Sequence, residues 1–223
     1  GGGEMALFRL EDVRFNSRTK EVVRGVSMEI DPGTVTALLG KSGSGKSTLL
    51  KLIAGILVPS GGKVFYKDTD IQLMNNTLNK RFRRECAFVF QDSALWANQD
   101  IQQNLTLPLQ THNPMMSRNA ILEKINKICE LVNYDRSLNL RPVDLSMGEQ
   151  KKIAFARALI NEPDVLFLDE CTESLDKKSG KVILDILSDF VNSGKTIIYV
   201  SHSTTFIAAM GGKQFVLDEG LLS

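Results

Sequence analysis

The sequence predicts an α/β fold with a mostly parallel sheet, an antiparallel β section at the N-terminal end and a helical sub-domain in the middle of the chain. Three observations carry this reading. Short β-rich runs alternate with helical stretches. The run Val35-Thr36-Ala37-Leu38-Leu39 is apolar on both faces, as a buried central strand is. Between Gln91 and Leu145 no strong buried strand appears, and apolar residues recur at helical spacing instead. With 223 residues, 43% hydrophobic and 24% charged, the chain has an ordinary globular composition. A chain of this size buries about 70% of the surface its unfolded form exposes, which excludes disorder as the main state. At about 150 residues per domain it reads as a single domain over residues 5–223, with the helical sub-domain at approximately 92–150. Gly1-Gly2-Gly3-Glu4, ahead of the start-like Met5, reads as an appended remnant with no core to join.

Taken in order, Phe8 and Leu10 alternate, Val13 and Phe15 alternate, and Val26, Met28 and Ile30 form a third period-2 set before the turn Asp31-Pro32-Gly33. Each predicts a small antiparallel strand. The strand at 35–39 feeds a glycine-rich turn and then a helix over about 46–57, with Leu49, Leu50, Ile53 and Ile56 on one face and Pro59-Ser60-Gly61-Gly62 as its breaker. Ile121, Ile125, Ile128, Cys129 and Val132 mark the helical sub-domain. A helix near 147–160, a strand at 165–168, a helix near 178–191 and a strand at 196–200 restore the α/β pattern.

Lys+Arg 27 against Asp+Glu 26 leaves a net charge of +1, without the basic excess by which a nucleic-acid binder neutralises phosphates, so no nucleic-acid partner is expected. Cys86, Cys129 and Cys171 are odd in number, far apart and never arranged as CxxC. They support neither a disulfide framework nor a zinc cluster, and a reducing compartment is expected. No run approaches the roughly 20 apolar residues a membrane helix needs, and no secretory signal pattern opens the chain, so a soluble, cytosolic protein is expected.

Three motifs carry chemistry. Gly40-Lys41-Ser42-Gly43-Ser44-Gly45-Lys46-Ser47 satisfies GxxxxGK[ST] between a strand and a helix. Its glycines turn backbone N–H groups onto phosphate oxygens, Lys46 supplies a point charge and the Ser47 hydroxyl suits Mg²⁺. The apolar strand Val165-Leu166-Phe167-Leu168 ends in Asp169-Glu170, which places two carboxylates at the end of the strand where an open parallel sheet meets its ligand. Asp169 suits outer ligation of Mg²⁺ through water, and Glu170 suits polarising an attacking water. Leu145-Ser146-Met147-Gly148-Glu149-Gln150 opens a helix, with Ser146 at the N-cap.

With Gln91 after Phe88-Val89-Phe90 and His202 in Tyr199-Val200-Ser201-His202, these motifs stand in one order that resembles the ATP-binding-cassette (ABC) ATPase family, over about 7–219. The resemblance implies a head-to-tail homodimer formed on ATP binding. ATP would lie between the P-loop of one subunit, from Gly40 through Thr48, and Ser146 and Gly148 of the other. It implies Glu170 as general base, His202 at the γ-phosphate, Gln91 in the metal shell with Ser47 and Asp169, and Asp176 of Ser174-Leu175-Asp176 at the dimer interface. ATP and Mg²⁺ are the implied cofactors. The implied partner is a separate transmembrane permease, with membrane contact only through it and a peripheral place on the cytoplasmic face of the inner membrane.

Several positions depart from the family pattern. Ser17 falls where many relatives carry an adenine-stacking aromatic, and nearby Phe15 shares its face with Val13 and reads as core. Met147 stands for glycine, Glu149 for glutamine, Cys171 for proline and Glu173 for a small residue. Ser146, Gly148 and Glu170 are retained, so activity is expected. His112 reads as a solvated loop residue.

The leading function is the ATPase subunit of a membrane transporter; the alternative is a non-transport ABC ATPase regulating a membrane or cell-envelope complex. The interval from Gln91 to Ser146 is too short for the coiled coil of DNA-repair relatives. Asp92-Ser93-Ala94-Leu95-Trp96 and the segment from Ile101 to Leu109 look similar to lipid-trafficking ATPases of the Mla/Mce type, a pattern largely shared with lipoprotein-releasing and cell-division ATPases. Trp96 is read either as sub-domain core or as part of a groove for the permease.

Overall fold

A computed structural model describes residues 5–223; the remnant read at residues 1–4 lies outside them. The elements in chain order are β1 (Phe8–Asn16), β2 (Glu21–Ile30), β3 (Val35–Gly40), α1 (Lys46–Ile53), β4 (Gly61–Tyr66), β5 (Thr69–Asp70), α2 (Asn76–Glu85), β6 (Cys86–Val89), α3 (Ile101–His112), α4 (Arg118–Leu131), α5 (Met147–Leu159), β7 (Val165–Asp169), α6 (Lys177–Asn192), β8 (Thr196–Val200), α7 (Thr204–Met210), β9 (Lys213–Asp218) and β10 (Leu221–Leu222). The chain forms two compact units. One runs to Phe82 and resumes at Phe190; the other is Arg83–Asp189.

In the first unit β2-β1-β4-β5 form an antiparallel sheet. The two separate alternations of the first strand belong to one element. Asp12, at φ 46, interrupts the pairing of β1 with β2 between Leu10 and Val13, so Phe8, Leu10 and Val13 all reach the core despite the break in period. Phe15, expected in the core, is only half-buried; it pairs with Val23 at the turn end of the hairpin. Ser17 sits in that exposed hairpin turn and bonds the carbonyl of Lys20.

The other strands of this unit run β10-β9-β3-β8, with β3 parallel to both neighbours. That central place explains why 35–39 lacks a polar face. Helix α1 packs on β3 and β8 and buries Leu49, Leu50, Leu52 and Ile53. It ends at Ile53 rather than near 57, because Gly55 takes φ 72 and the Ile56 and Leu57 amides both bond back to the Lys51 carbonyl. Ile56 is consequently exposed instead of lying on the buried face.

In the second unit β6 and β7 pair in parallel, and α5 packs on α3, α4 and β6. Ile121, Ile125, Cys129 and Val132 are buried as their spacing requires. His112, read as a loop residue, closes α3 and is half-buried. Burial pushes the thiol of Cys129 up to about 11 and that of Cys171 up to about 12, so both stay protonated at neutral pH.

Candidate nucleotide-binding and hydrolysis site

In the first unit, β3 delivers the chain into the 40–48 turn. Gly40 has φ 150, and a Cβ there would lie 2.5 Å from the Leu217 carbonyl oxygen and 2.6 Å from Ser44 Oγ, so no larger residue fits. Lys46 is 5% exposed, and its ammonium donates to the carbonyls of Gly40 at 2.7 Å and Lys41 at 3.2 Å. Gly45, with φ 97, is the N-cap of α1, which has no side-chain cap and no acidic residue in its first turn. Its first N–H groups and the positive end of its dipole therefore remain available to an anion. Ser44 Oγ is buried and has no hydrogen-bond partner among the described residues, as expected of a donor meant for a phosphate oxygen.

His202 is exposed in the step between β8 and α7, where the buried Ser201 accepts from the Ser203 amide and Ser203 caps α7. Leu38 and Val200 are opposite in the β3/β8 register, so Gly40 and His202 both stand two residues beyond a matched pair, at the same end of neighbouring strands.

The second unit repeats this logic. Val89 pairs with Leu168, so Gln91 and Glu170 leave β6 and β7 together. Asp169 ends β7 and is buried. Glu170 follows in the left-handed region at φ 51, a conformation costly for a side chain of its kind and characteristic of working sites. Gln91 Nε2 donates to Glu173 Oε2 at 2.8 Å. The buried ammonium of Lys151 donates to the carbonyls of Phe90 at 3.0 Å and Gln91 at 2.6 Å.

Ser146 caps α5 in a reciprocal box. Its hydroxyl accepts from the Glu149 amide, and Glu149 accepts from the Ser146 amide at 2.9 Å. The Ser146 backbone bond first, and Arg136 at 3.1 Å after it, hold the Glu149 carboxyl below its usual range, so the glutamate standing for glutamine has a structural partner. A Cβ on Gly148 would lie 3.3 Å from the Ser174 carbonyl oxygen. Asp176 accepts from the Ser179 amide at 2.7 Å, a cap that depresses its pKa.

Lys151, Arg157 and Asn104 drew no attention as site residues in the sequence. Arg157 donates to the carbonyls of Ser93 and Ala94, which take φ 66 and φ 47, and its guanidinium lies 5.3 Å from the centre of the Trp96 ring. Asn104, fully buried on α3, accepts from the Trp96 amide and donates toward the carbonyls of Trp96, Gln99 and Asp100. Trp96 is itself 44% exposed, which removes it from the sub-domain core. Only the polarity of Asn104 amid apolar α3 positions could have signalled this clamp.

A buried strand that delivers a glycine turn, a sequestered lysine and an uncapped helix start defines a P-loop nucleoside triphosphatase. The chain belongs to the ABC transporter family, whose sequence profile, described as ABC transporter, matches residues 23–173. It is similar to the cell division ATP-binding protein FtsE of Escherichia coli (strain K12), 33% identical over 208 residues covering 91% of this chain and 90% of that one. It is also similar to the octopine permease ATP-binding protein P of Rhizobium radiobacter, 32% identical over 225 residues covering 96% and 86%. Among solved structures, the dimeric bacterial ABC transporter cassette MJ0796 matches with a TM-score of 0.88 at 27% identity over 97% of this chain and 96% of that one. The same cassette as a post-hydrolysis dimer bound to ADP and Pi matches at 0.87 with 28% identity over the same shares. The chain is thus an ABC ATPase domain that binds and hydrolyses ATP in service of a membrane transporter, through ATP-driven dimerisation. Among the described residues no helix is long and apolar enough to cross a membrane.

Proposed function

We propose that residues 5–223 act as one nucleotide-binding domain that drives a separate transmembrane permease by forming an ATP-dependent head-to-tail homodimer with Mg²⁺ as the metal. The observation that carries this reading is the phosphate cradle: a buried lysine and a buried serine hydroxyl without a hydrogen-bond partner among the described residues, around a helix start with no side-chain cap. Gly40 through Thr48 hold the phosphates. Ser47, Gln91 and Asp169 are the metal shell, and Glu170 takes the proton of the attacking water while His202 meets the γ-phosphate. Ser146, Gly148 and Asp176 serve the partner subunit's nucleotide. Mg²⁺ supplies charge neutralisation at the transferred phosphoryl group.

Ser146→Arg tests the in-trans assignment. Ser146 is exposed at a helix start, so the substitution costs only a cap, about 1 kcal/mol, while placing a bulky side chain on the dimer face. ATP affinity of the monomer is expected to persist, with turnover and the ATP-induced dimer both lost in gel filtration and phosphate-release assays. A variant that still dimerises and hydrolyses removes Ser146 from this role.

The permease groove is placed at Trp96, over Arg157. Trp96→Ala is expected to leave the melting temperature nearly unchanged, in contrast to the 3–5 kcal/mol or so lost with a buried aromatic, while abolishing co-purification with the membrane subunit. A large drop in melting temperature places Trp96 in the packing of its own unit instead. The relative named as a cell division ATP-binding protein favours a second reading, in which the same dimerisation regulates a cell-envelope complex. The finer assignment to lipid trafficking or lipoprotein release rests on residues 92–109.

A further inference from the structure

Gln91 is held from two sides. Its amide nitrogen donates to Glu173, and its own backbone carbonyl, together with that of Phe90, is held by Lys151. A carboxylate only accepts, so the contact decides which end of the amide faces it: the NH₂ group turns to Glu173 and Oε1 turns away. Lys151 is 2% exposed. Burial lowers its pKa, and the charges that act against this include those of Glu173 and Asp169, which places the ammonium in the field of the same carboxylates. Glu173 is also one of the positions where the sequence departs from its family's pattern, since a small residue is usual there and lacks the reach and the acceptor-only end of a glutamate.

Resting on the reading of Gln91 as a metal ligand, we propose that Glu173 is a positioning residue for the metal site: it fixes the Gln91 amide so that Oε1, the end able to ligate a hard cation, is presented to Mg²⁺. Lys151 holds the backbone that carries the amide. Without Glu173 the amide has two orientations, only one of which offers oxygen, and the metal must select it. Partners that orient a ligand in this way typically matter by 10–100-fold in metal affinity. Glu173 is solvent-exposed, so a loss of about tenfold, the weak end of that range, is expected.

The test uses the full chain with Mn²⁺ and a non-hydrolysable ATP analogue, read by electron paramagnetic resonance, in Glu173→Ala, Glu173→Gln and Gln91→Ala. Glu173→Ala is expected to weaken Mn²⁺ without changing metal-free binding of the analogue. Glu173→Gln matches glutamate in size, but its amide can turn either oxygen or NH₂ to Gln91 and so no longer fixes it; it is expected to weaken Mn²⁺ as well. In nitrogen-15 spectra of the nucleotide-free protein, the Gln91 side-chain signals, assigned by their loss in Gln91→Ala, are expected to move in both Glu173 variants. Unmoved signals in Glu173→Ala, or a Glu173→Gln variant that keeps the parent protein's Mn²⁺ affinity and Gln91 signals, overturn the proposal. If Gln91→Ala weakens Mn²⁺ and Glu173→Ala does not, the positioning role fails and the ligand reading of Gln91 stands. If Gln91→Ala leaves Mn²⁺ binding unchanged, the ligand reading fails and the positioning role falls with it.

Discussion

Lys46→Ala is expected to weaken ATP binding by roughly 10- to 100-fold, because a hydrogen bond to a charged group contributes about 1.5–3 kcal/mol and each 1.4 kcal/mol is a factor of ten. Turnover is expected to fall further, since a preorganised donor aimed at developing phosphate charge typically supplies about 10²–10³ in kcat. The ammonium is buried and held by the Gly40 and Lys41 carbonyls, so its position is set before the nucleotide arrives and little ordering cost is left for binding. The neighbouring cation Lys41 is exposed and lacks the burial that fixes the Lys46 ammonium. Calorimetric titration with ATP measures the affinity and a phosphate-release assay the turnover. Unchanged ATP affinity would remove Lys46 from the cradle.

How far the sequence could be read depends on what each element asks of its residues. Strand β3 has a single tolerable pattern because both its faces are buried, and the turn after it has a single tolerable composition because Gly40 lies against Leu217 and Ser44. Those positions advertise themselves. Helix α2 does not: its one buried residue is Phe82, whose ring lies 4.9 Å from that of Tyr66, so there is no apolar stripe for periodicity to find. The end of α1 was legible in principle. Gly55 is the stop, yet the apolar run through Ile56 and Leu57 outweighed it, and the exposed Ile56 is the result. The break between Leu10 and Val13 looked like two strands because a bulge shifts a period-2 pattern by one. The strand-end motif marked Asp169 and Glu170, and the family resemblance marked Gln91 and His202, but the side chains that hold Gln91 and the segment after it are long-range partners. Lys151 meets Gln91 and Arg157 meets Ala94 only once the chain has folded, and no local pattern records such a meeting.

Glu170→Gln is expected to keep ATP binding and reduce turnover by about 10²–10⁴, the range that a positioned general base contributes. Glutamine matches glutamate in size and accepts the same backbone, so the left-handed step at φ 51 and the burial of Asp169 beside it are undisturbed. What changes is the ability to take a proton from water. In the proposed assignment, binding and dimer closure depend on Lys46, the glycine turn and the capped start of α5, none of which the substitution touches. The cycle should therefore stall after closure, with an ATP-bound dimer persisting through gel filtration where the parent protein returns to monomer. Glu170→Ala would remove the base as well but would also open space beside β7, which makes the glutamine variant the cleaner comparison. Normal turnover in Glu170→Gln would assign the proton to another acceptor and leave Glu170 as part of the metal's surroundings. Lost turnover without an accumulated dimer would mean that closure, rather than chemistry, depends on this carboxylate.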